Sequence, residues 1–243
     1  MLRTVHVRTA FPTGERASTV SMYSESGRAD ASRSLFFVLS HPTHAERLGR
    51  LLPGFFKSPS GWRSAESLTA QIRAAVLEVE RTSGTRVSLA LVLVDAPRLV
   101  SLTRGDGVVG YDAGRGMRTS TRLASGRPLL AAREDGAGWR QWSIEPLPGH
   151  RFFVGLRDGL DRLEAAEVEG LGALVGREAR AAHPGGASQR AAGRAGALVV
   201  GRINHVPWTS ATGVPAAPEV LDPAPTWRTR AAPEAAPGRN RVA

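Results

Sequence analysis

Residues 148–160 read Pro148-Gly149-His150-Arg151-Phe152-Phe153-Val154-Gly155-Leu156-Arg157-Asp158-Gly159-Leu160. Pro148-Gly149 is a turn signal, because proline presets φ and glycine accepts either sign of it. Arg151–Leu156 is short and apolar, the pattern of a buried strand. Asp158-Gly159 marks a second turn. On the C-terminal side, Leu163, Val168, Leu171, Leu174 and Val175 line one side of a helix expected over Asp161–Ala182, which Pro184-Gly185-Gly186 stops. A last strand is expected over Ala197–Ile203.

Toward the N-terminus, Trp139–Ile144 is a weaker strand signal, and Gly105-Asp106-Gly107 introduces another over Val108–Tyr111. Val87–Val94 and Leu99–Thr103 flank Asp95-Ala96-Pro97-Arg98, a break that fits a hairpin turn. A helix is expected over Ser64–Thr82, where Leu68, Ile72, Val76 and Val79 form one stripe and Gly84 ends it. Another starts near Thr43, whose spacing to Glu46 fits a capping box; Leu48, Leu51 and Leu52 share its face until Pro53. Ser34–Leu39, Ala17–Ser24 and Leu2–Thr9 complete the strands. This order is not a regular strand–helix alternation. It predicts an α+β fold of mostly antiparallel sheets with helices packed outside, not a doubly wound parallel sheet.

The chain has 243 residues, enough for one substantial core. It has no cysteine, which excludes disulfides, zinc–thiolate sites and thiol nucleophiles. The formal net charge is +10, and Lys57 is the only lysine. Arginines are scattered, as at Arg28, Arg63, Arg104, Arg140 and Arg177, not gathered on a stripe with stacking aromatics, which argues against a nucleic-acid partner. No run approaches the ~20 apolar residues of a membrane span. Met1–Ala10 lacks the apolar stretch of a signal peptide, so a cytoplasmic protein without membrane contact is expected. A folded domain is expected over residues 1–204. From His205 to Ala243 seven prolines lie among alanines and polar residues, which predicts a disordered or extended tail over 205–243, with Trp208 and Trp227 as its large side chains.

Four places, taken in order, resemble the metal-dependent protein phosphatase (PPM, type 2C) family. Leu35–Leu39 leads into Ser40-His41, where the family has a strand ending in Asp-Gly. Gly105-Asp106-Gly107 follows a hairpin where the family has Gly-Asp-Ser. Pro148–Leu160 matches a Pro-Gly-Asp turn, an apolar strand and Ser-Asp-Gly-Leu. Gly193-Arg194, ahead of Ala197-Leu198-Val199-Val200, stands where the family has Asp-Asn. The resemblance covers about residues 1–204 and implies a four-layer α/β/β/α sandwich of two mostly antiparallel sheets flanked by helices.

The family hydrolyses phosphoserine and phosphothreonine with two Mg²⁺ or Mn²⁺ ions, which need several converging carboxylates. Here only Asp158 survives at a metal-binding position; Ser40, His41, Arg157, Gly193 and Arg194 occupy the other motif positions. One carboxylate beside guanidinium groups lacks the negative charge to hold two dications. The resemblance therefore implies a degenerate member: a pseudophosphatase with no catalytic residue and no cofactor, with Asp158 as a vestigial ligand. It would act as a regulatory or binding protein in Ser/Thr phospho-signalling, with a kinase or phosphoprotein as partner. The alternative is an active but divergent metal-dependent Ser/Thr phosphatase, with Mg²⁺ or Mn²⁺ held by residues such as Glu25, Asp30, Asp106 and Asp158. Arg8 or Arg16 would then match the family's phosphate-gripping arginine loosely.

Other candidates read as structural. His41 and His44, with Glu46 nearby, lack a third distant ligand and are expected to be surface loop histidines. Ser40 and His41 are adjacent and sit in no nucleophile elbow. Asp106 is expected to form a turn, Asp135-Gly136-Ala137-Gly138 a flexible loop, and His183 the end of a helix.

Overall fold

The computed structural model describes residues 5–10, 20–26, 33–58, 64–95, 98–171 and 197–203. Along them run β1 (Val5–Ala10), β2 (Val20–Ser26), β3 (Arg33–Ser40), α1 (Ala45–Lys57), α2 (Ala65–Ser83), β4 (Ser88–Asp95), β5 (Arg98–Arg104) and β6 (Gly107–Asp112). There follow β7 (Met117–Thr119), β8 (Arg133–Glu134), β9 (Trp139–Ile144), β10 (Arg151–Leu156), α3 (Arg157–Leu160), α4 (Ala165–Leu171) and β11 (Leu198–Ile203). Strand pairing gives a five-stranded sheet A, in the order β1-β11-β10-β6-β7, and a six-stranded sheet B, in the order β2-β3-β4-β5-β9-β8. Every ladder between these strands is antiparallel.

Strand alternation sorts the apolar side chains into three cores. Leu35, Phe37 and Leu39 of β3, with Leu89, Leu91 and Leu93 of β4, pack on Leu48 and Leu52 of α1 and Leu68, Ile72 and Val76 of α2. Phe36, Val38, Ala90 and Val92 face the other way and meet Val109, Phe152, Val154 and Val199 of sheet A. On the far side of sheet A, Val108, Phe153, Leu198 and Val200 pack on Leu160, Val168 and Leu171. The layers are therefore α/β/β/α, as the resemblance implied. Continuous apolar runs in β3, β4 and β10 are explained by this burial on both faces.

Close contacts fix the register of sheet A. Phe152 lies opposite Gly201 and Phe153 opposite Gly110. A Cβ at Gly201 would stand 2.2 Å from the Phe152 ring, and one at Gly110 2.1 Å from the Phe153 ring. Only glycine leaves room for these rings.

α2 has the predicted form. Ser64 accepts from the Ser67 N–H at 3.2 Å in a reciprocal capping box, and Gly84 ends the helix at φ 67°. α1 differs from expectation at both ends. It starts at Ala45 with no side-chain bond from its N-cap His44, and the Thr43–Glu46 box is not formed. It also runs through Pro53, which is buried, to Lys57. The proline ring adds to the core there, which offsets the intrahelical bond it forgoes. The helix expected from Asp161 is also corrected. Arg157–Leu160 already forms α3, a turn follows, and α4 begins only at Ala165. The remainder of that expected helix, and the expected tail at 205–243, lie outside the described residues. The strands β7 and β8, of three and two residues, carry no sequence signal of their own.

Candidate functional site

Antiparallel register brings the motif-bearing segments to one end of the sandwich. Ser40 closes β3 opposite Ser88, the first residue of β4, and opposite Val20, the first of β2. Arg104 ends β5 and Gly107 opens β6, so the Gly105-Asp106 turn carries the chain from sheet B to sheet A at that same end. The Asp106 N–H donates to Ser88 Oγ at 3.2 Å. Leu156 ends β10 opposite Gly107, and the Arg157 N–H donates to the Asp106 carbonyl at 2.8 Å. Three of the four motif segments are thus linked through register and hydrogen bonds. The fourth, Gly193-Arg194, lies outside the described residues; β11 begins just after it at Leu198, opposite Gly155 and Ala10 at this end.

The side chains at this end are few in carboxylates. Asp158 is exposed on the short α3. Arg157 is half-buried, with Nη2 donating to the Arg122 carbonyl at 3.4 Å and Nε buried without an acceptor. Asp106 is exposed in its turn, as expected of a turn former. Glu25 lies opposite Leu35, five residues along β2 from Val20 and so roughly 17 Å from the motif end. Asp30 and Arg16 lie outside the described residues. Among the described residues, no group of three or more His, Asp or Glu side chains is placed to hold a metal ion. The described donor set does not fit a pair of hard divalent cations, which need several converging carboxylates.

His41 departs from expectation. It is not a surface loop histidine but 1% exposed. Its Nδ1 accepts from the Thr43 N–H at 3.2 Å and the His44 N–H at 3.0 Å, so it caps α1 from outside the helix. Its Nε2 lies 3.2 Å from Ser83 Oγ at the end of α2. With Nδ1 accepting, Nε2 carries the proton and donates it to Ser83. Burial lowers its pKa, a bond to the Thr85 backbone raises it, His44 lowers it and Glu80 raises it, and the net direction is down. His41 is therefore occupied as a structural acceptor, and its geometry is neither that of a metal ligand nor that of a base for Ser83.

Beside it lies a charged network the sequence did not reveal. Arg104 Nε donates to Glu80 Oε1 at 2.8 Å, and Arg104 Nη2 donates to Glu80 Oε2. The two side chains are 10% and 11% exposed. The Val87 N–H also donates to Glu80 Oε1, at 2.9 Å. Burial pushes the Glu80 carboxyl up, but these bonds and the Arg86 charge bring it below its ordinary value. The Arg104 and Arg73 guanidinium carbons lie 5.0 and 5.4 Å from the centre of the buried Trp139 ring. Arg73 also holds Asp135 at 2.6 Å, and Asp135 Oδ1 accepts from the Ala137 and Trp139 N–H groups at 3.0 Å. The turn at 135–138, expected to be flexible, is held by these bonds. No motif or periodicity marks Glu80 and Arg104, which are separated by 24 residues.

No family model matches the sequence, and no curated protein does. Solved structures do match. The chain is similar to PppA, a key regulatory component of T6SS in Pseudomonas aeruginosa, with 13% identity and a TM-score of 0.53 over 84% of this chain and 98% of that one. It is similar to the Mycobacterium tuberculosis serine/threonine phosphatase PstP/Ppp, with 16% identity and a TM-score of 0.54 over 84% and 100%. The PstP catalytic domain in complex with two manganese ions matches with 15% identity and a TM-score of 0.53 over 84% and 99%. The chain has the fold of the PPM serine/threonine phosphatases. Within that phosphatase fold, the end of the sandwich that gathers Ser40, Asp106, Arg157 and Asp158 is the candidate site. Among the described helices, none is long and apolar enough to cross a membrane.

Proposed function

We propose that this chain is a pseudophosphatase: a PPM-fold protein that regulates or binds a partner in Ser/Thr phospho-signalling without catalysing dephosphorylation. The observation that carries this reading is the composition of the sandwich end. It keeps the phosphatase architecture, yet Asp158 on α3 and Asp106 in the β5–β6 turn are exposed, Glu80 is taken up by Arg104, and the Arg157 guanidinium directly precedes Asp158. Adding an arginine to a site meant for two dications opposes their binding by direct repulsion. His41, at the position of a family glycine, is already engaged by two backbone N–H groups and Ser83. What remains is a surface for recognition, and a kinase or phosphoprotein is the partner class this reading assigns.

The test uses the full chain with a generic aryl phosphate and Mn²⁺, alongside calorimetry with Mn²⁺ and Mg²⁺. No turnover above the metal blank and no saturable metal binding are expected. Turnover that disappears in Asp158→Asn, or two tight metal sites, would replace this reading with a divergent but active phosphatase.

A further inference from the structure

Far from the motif end, sheet A brings two arginines face to face. Arg151 opens β10 and Arg202 lies directly opposite it on β11. Alternation puts both on the face that buries Phe153 and Val200 against α4, since each is two residues from one of those side chains. Both are half-buried, and Arg202 Nε is buried without an acceptor. Neither guanidinium takes part in a salt bridge or side-chain hydrogen bond among the described residues. Asp112 lies opposite Arg151 on its other side, but its Oδ1 accepts from the Gly114 and Gly116 N–H groups at 2.7 and 3.1 Å. By register, His6 of β1 occupies the position beside Arg202. Like charges on directly opposed residues work against a sheet. Here two guanidinium groups stand against the single carboxylate of Asp112 in a partly dry setting, so among the described residues a net positive charge remains that an anion would offset.

We propose that Arg151 and Arg202 form a metal-free site for a phosphate monoester, separate from the sandwich end. Cα atoms of directly opposed residues are about 4.5–5.5 Å apart, so two guanidinium forks can approach one ligand from adjacent strands. A tetrahedral dianion presents oxygens to both forks, whereas a single carboxylate fills one. Arg151 lies five residues along β10 from Leu156, roughly 17 Å from the motif end. The site would take a phosphorylated residue of a partner protein or a small free ester by the same chemistry.

The test is calorimetric titration of the full chain with inorganic phosphate at fixed ionic strength and with excess EDTA. A phosphothreonine peptide and its unphosphorylated form serve as further probes. Phosphate is expected to bind with EDTA present, and Arg151→Met and Arg202→Met are each expected to weaken it about tenfold or more. Arg157→Met should leave it unchanged, which separates this site from the sandwich end. Peptide binding that depends on the phosphate assigns a protein source, and binding of free phosphate alone assigns a small ester; both support the site. Arg202→Lys keeps the charge and stem, so it guards against loss of folding, and it too should weaken binding because it lacks the fork. The proposal is overturned if the native chain does not bind phosphate, if Arg202→Lys binds as the native chain does, or if binding survives Arg151→Met with Arg202→Met.

Discussion

His41 does its work only when neutral. Its Nδ1 accepts from two N–H groups, so a proton there would set donor against donor. Burial already pushes its pKa down, and burial does the same for His150, opposed by the Asp112 charge. His150 Nδ1 likewise accepts an N–H, from Leu147 at 3.1 Å. A histidine whose folded pKa is depressed stabilises the fold fully above its unfolded value of about 6.5, and that contribution is lost as pH falls below it toward the folded value. The urea midpoint should therefore fall between pH 7.5 and pH 5.5. His41→Asn, which keeps an acceptor near the cap, should reduce that fall. His41→Ala should cost about 1–2 kcal/mol at pH 7.5 by removing the cap. An unchanged pH profile in both variants would remove His41 from this account. The sequence pointed to Thr43 and Glu46 as the cap because their spacing is a familiar one. The acceptor comes instead from a residue outside the helix, positioned by Ser83 from 42 residues away, and local spacing cannot report such a contact.

At the scale of single elements, burial on both faces made β3, β4 and β10 plain in the sequence, because such strands are apolar throughout. What did not show is which sheet a strand joins. Val108–Tyr111 follows β5 after only a Gly-Asp-Gly segment, yet β6 pairs with β10 and β7 in the other sheet. The turn passes tightly against β4, where a Cβ at Gly107 would stand 1.8 Å from the Leu89 carbonyl oxygen. Two glycines then accept aromatic rings. Gly110→Ala and Gly201→Ala should each destabilise by about 1–3 kcal/mol, the usual cost of overpacking, in chemical denaturation. Gly54→Ala in α1 is the contrasting case, with nothing within 4 Å of the added Cβ. It should stabilise by about 0.5–1 kcal/mol.

Across the whole molecule, the inter-sheet core and the Glu80–Arg104 pair tie the layers together. Arg104 belongs to sheet B, Glu80 to a helix outside it, and Trp139 beneath the arginine to β9. Removing one member of a buried pair leaves a charge without a partner, so Glu80→Ala should cost about 3–5 kcal/mol. Thermal unfolding followed by tryptophan fluorescence and by far-UV circular dichroism should give coincident curves in the native chain, since the sheets share one core. The candidate site was legible in the sequence as a set of positions in order. Their meeting at one end was not, because it depends on antiparallel register across both sheets.

That register also imposes an order of events on synthesis. β1 pairs with β11, Val5 opposite Ile203, so β1 leaves the ribosome long before its sheet neighbour among the described strands is made. β2, β3, β4 and β5 need only one another and can assemble early, with β9 and β8 added before β10 appears. Sheet B is thus free to form on the nascent chain, while β11 can join sheet A only after translation has passed residue 203, and for that interval Phe152 and Val154 lack Val199 and Ile203 of the inter-sheet core.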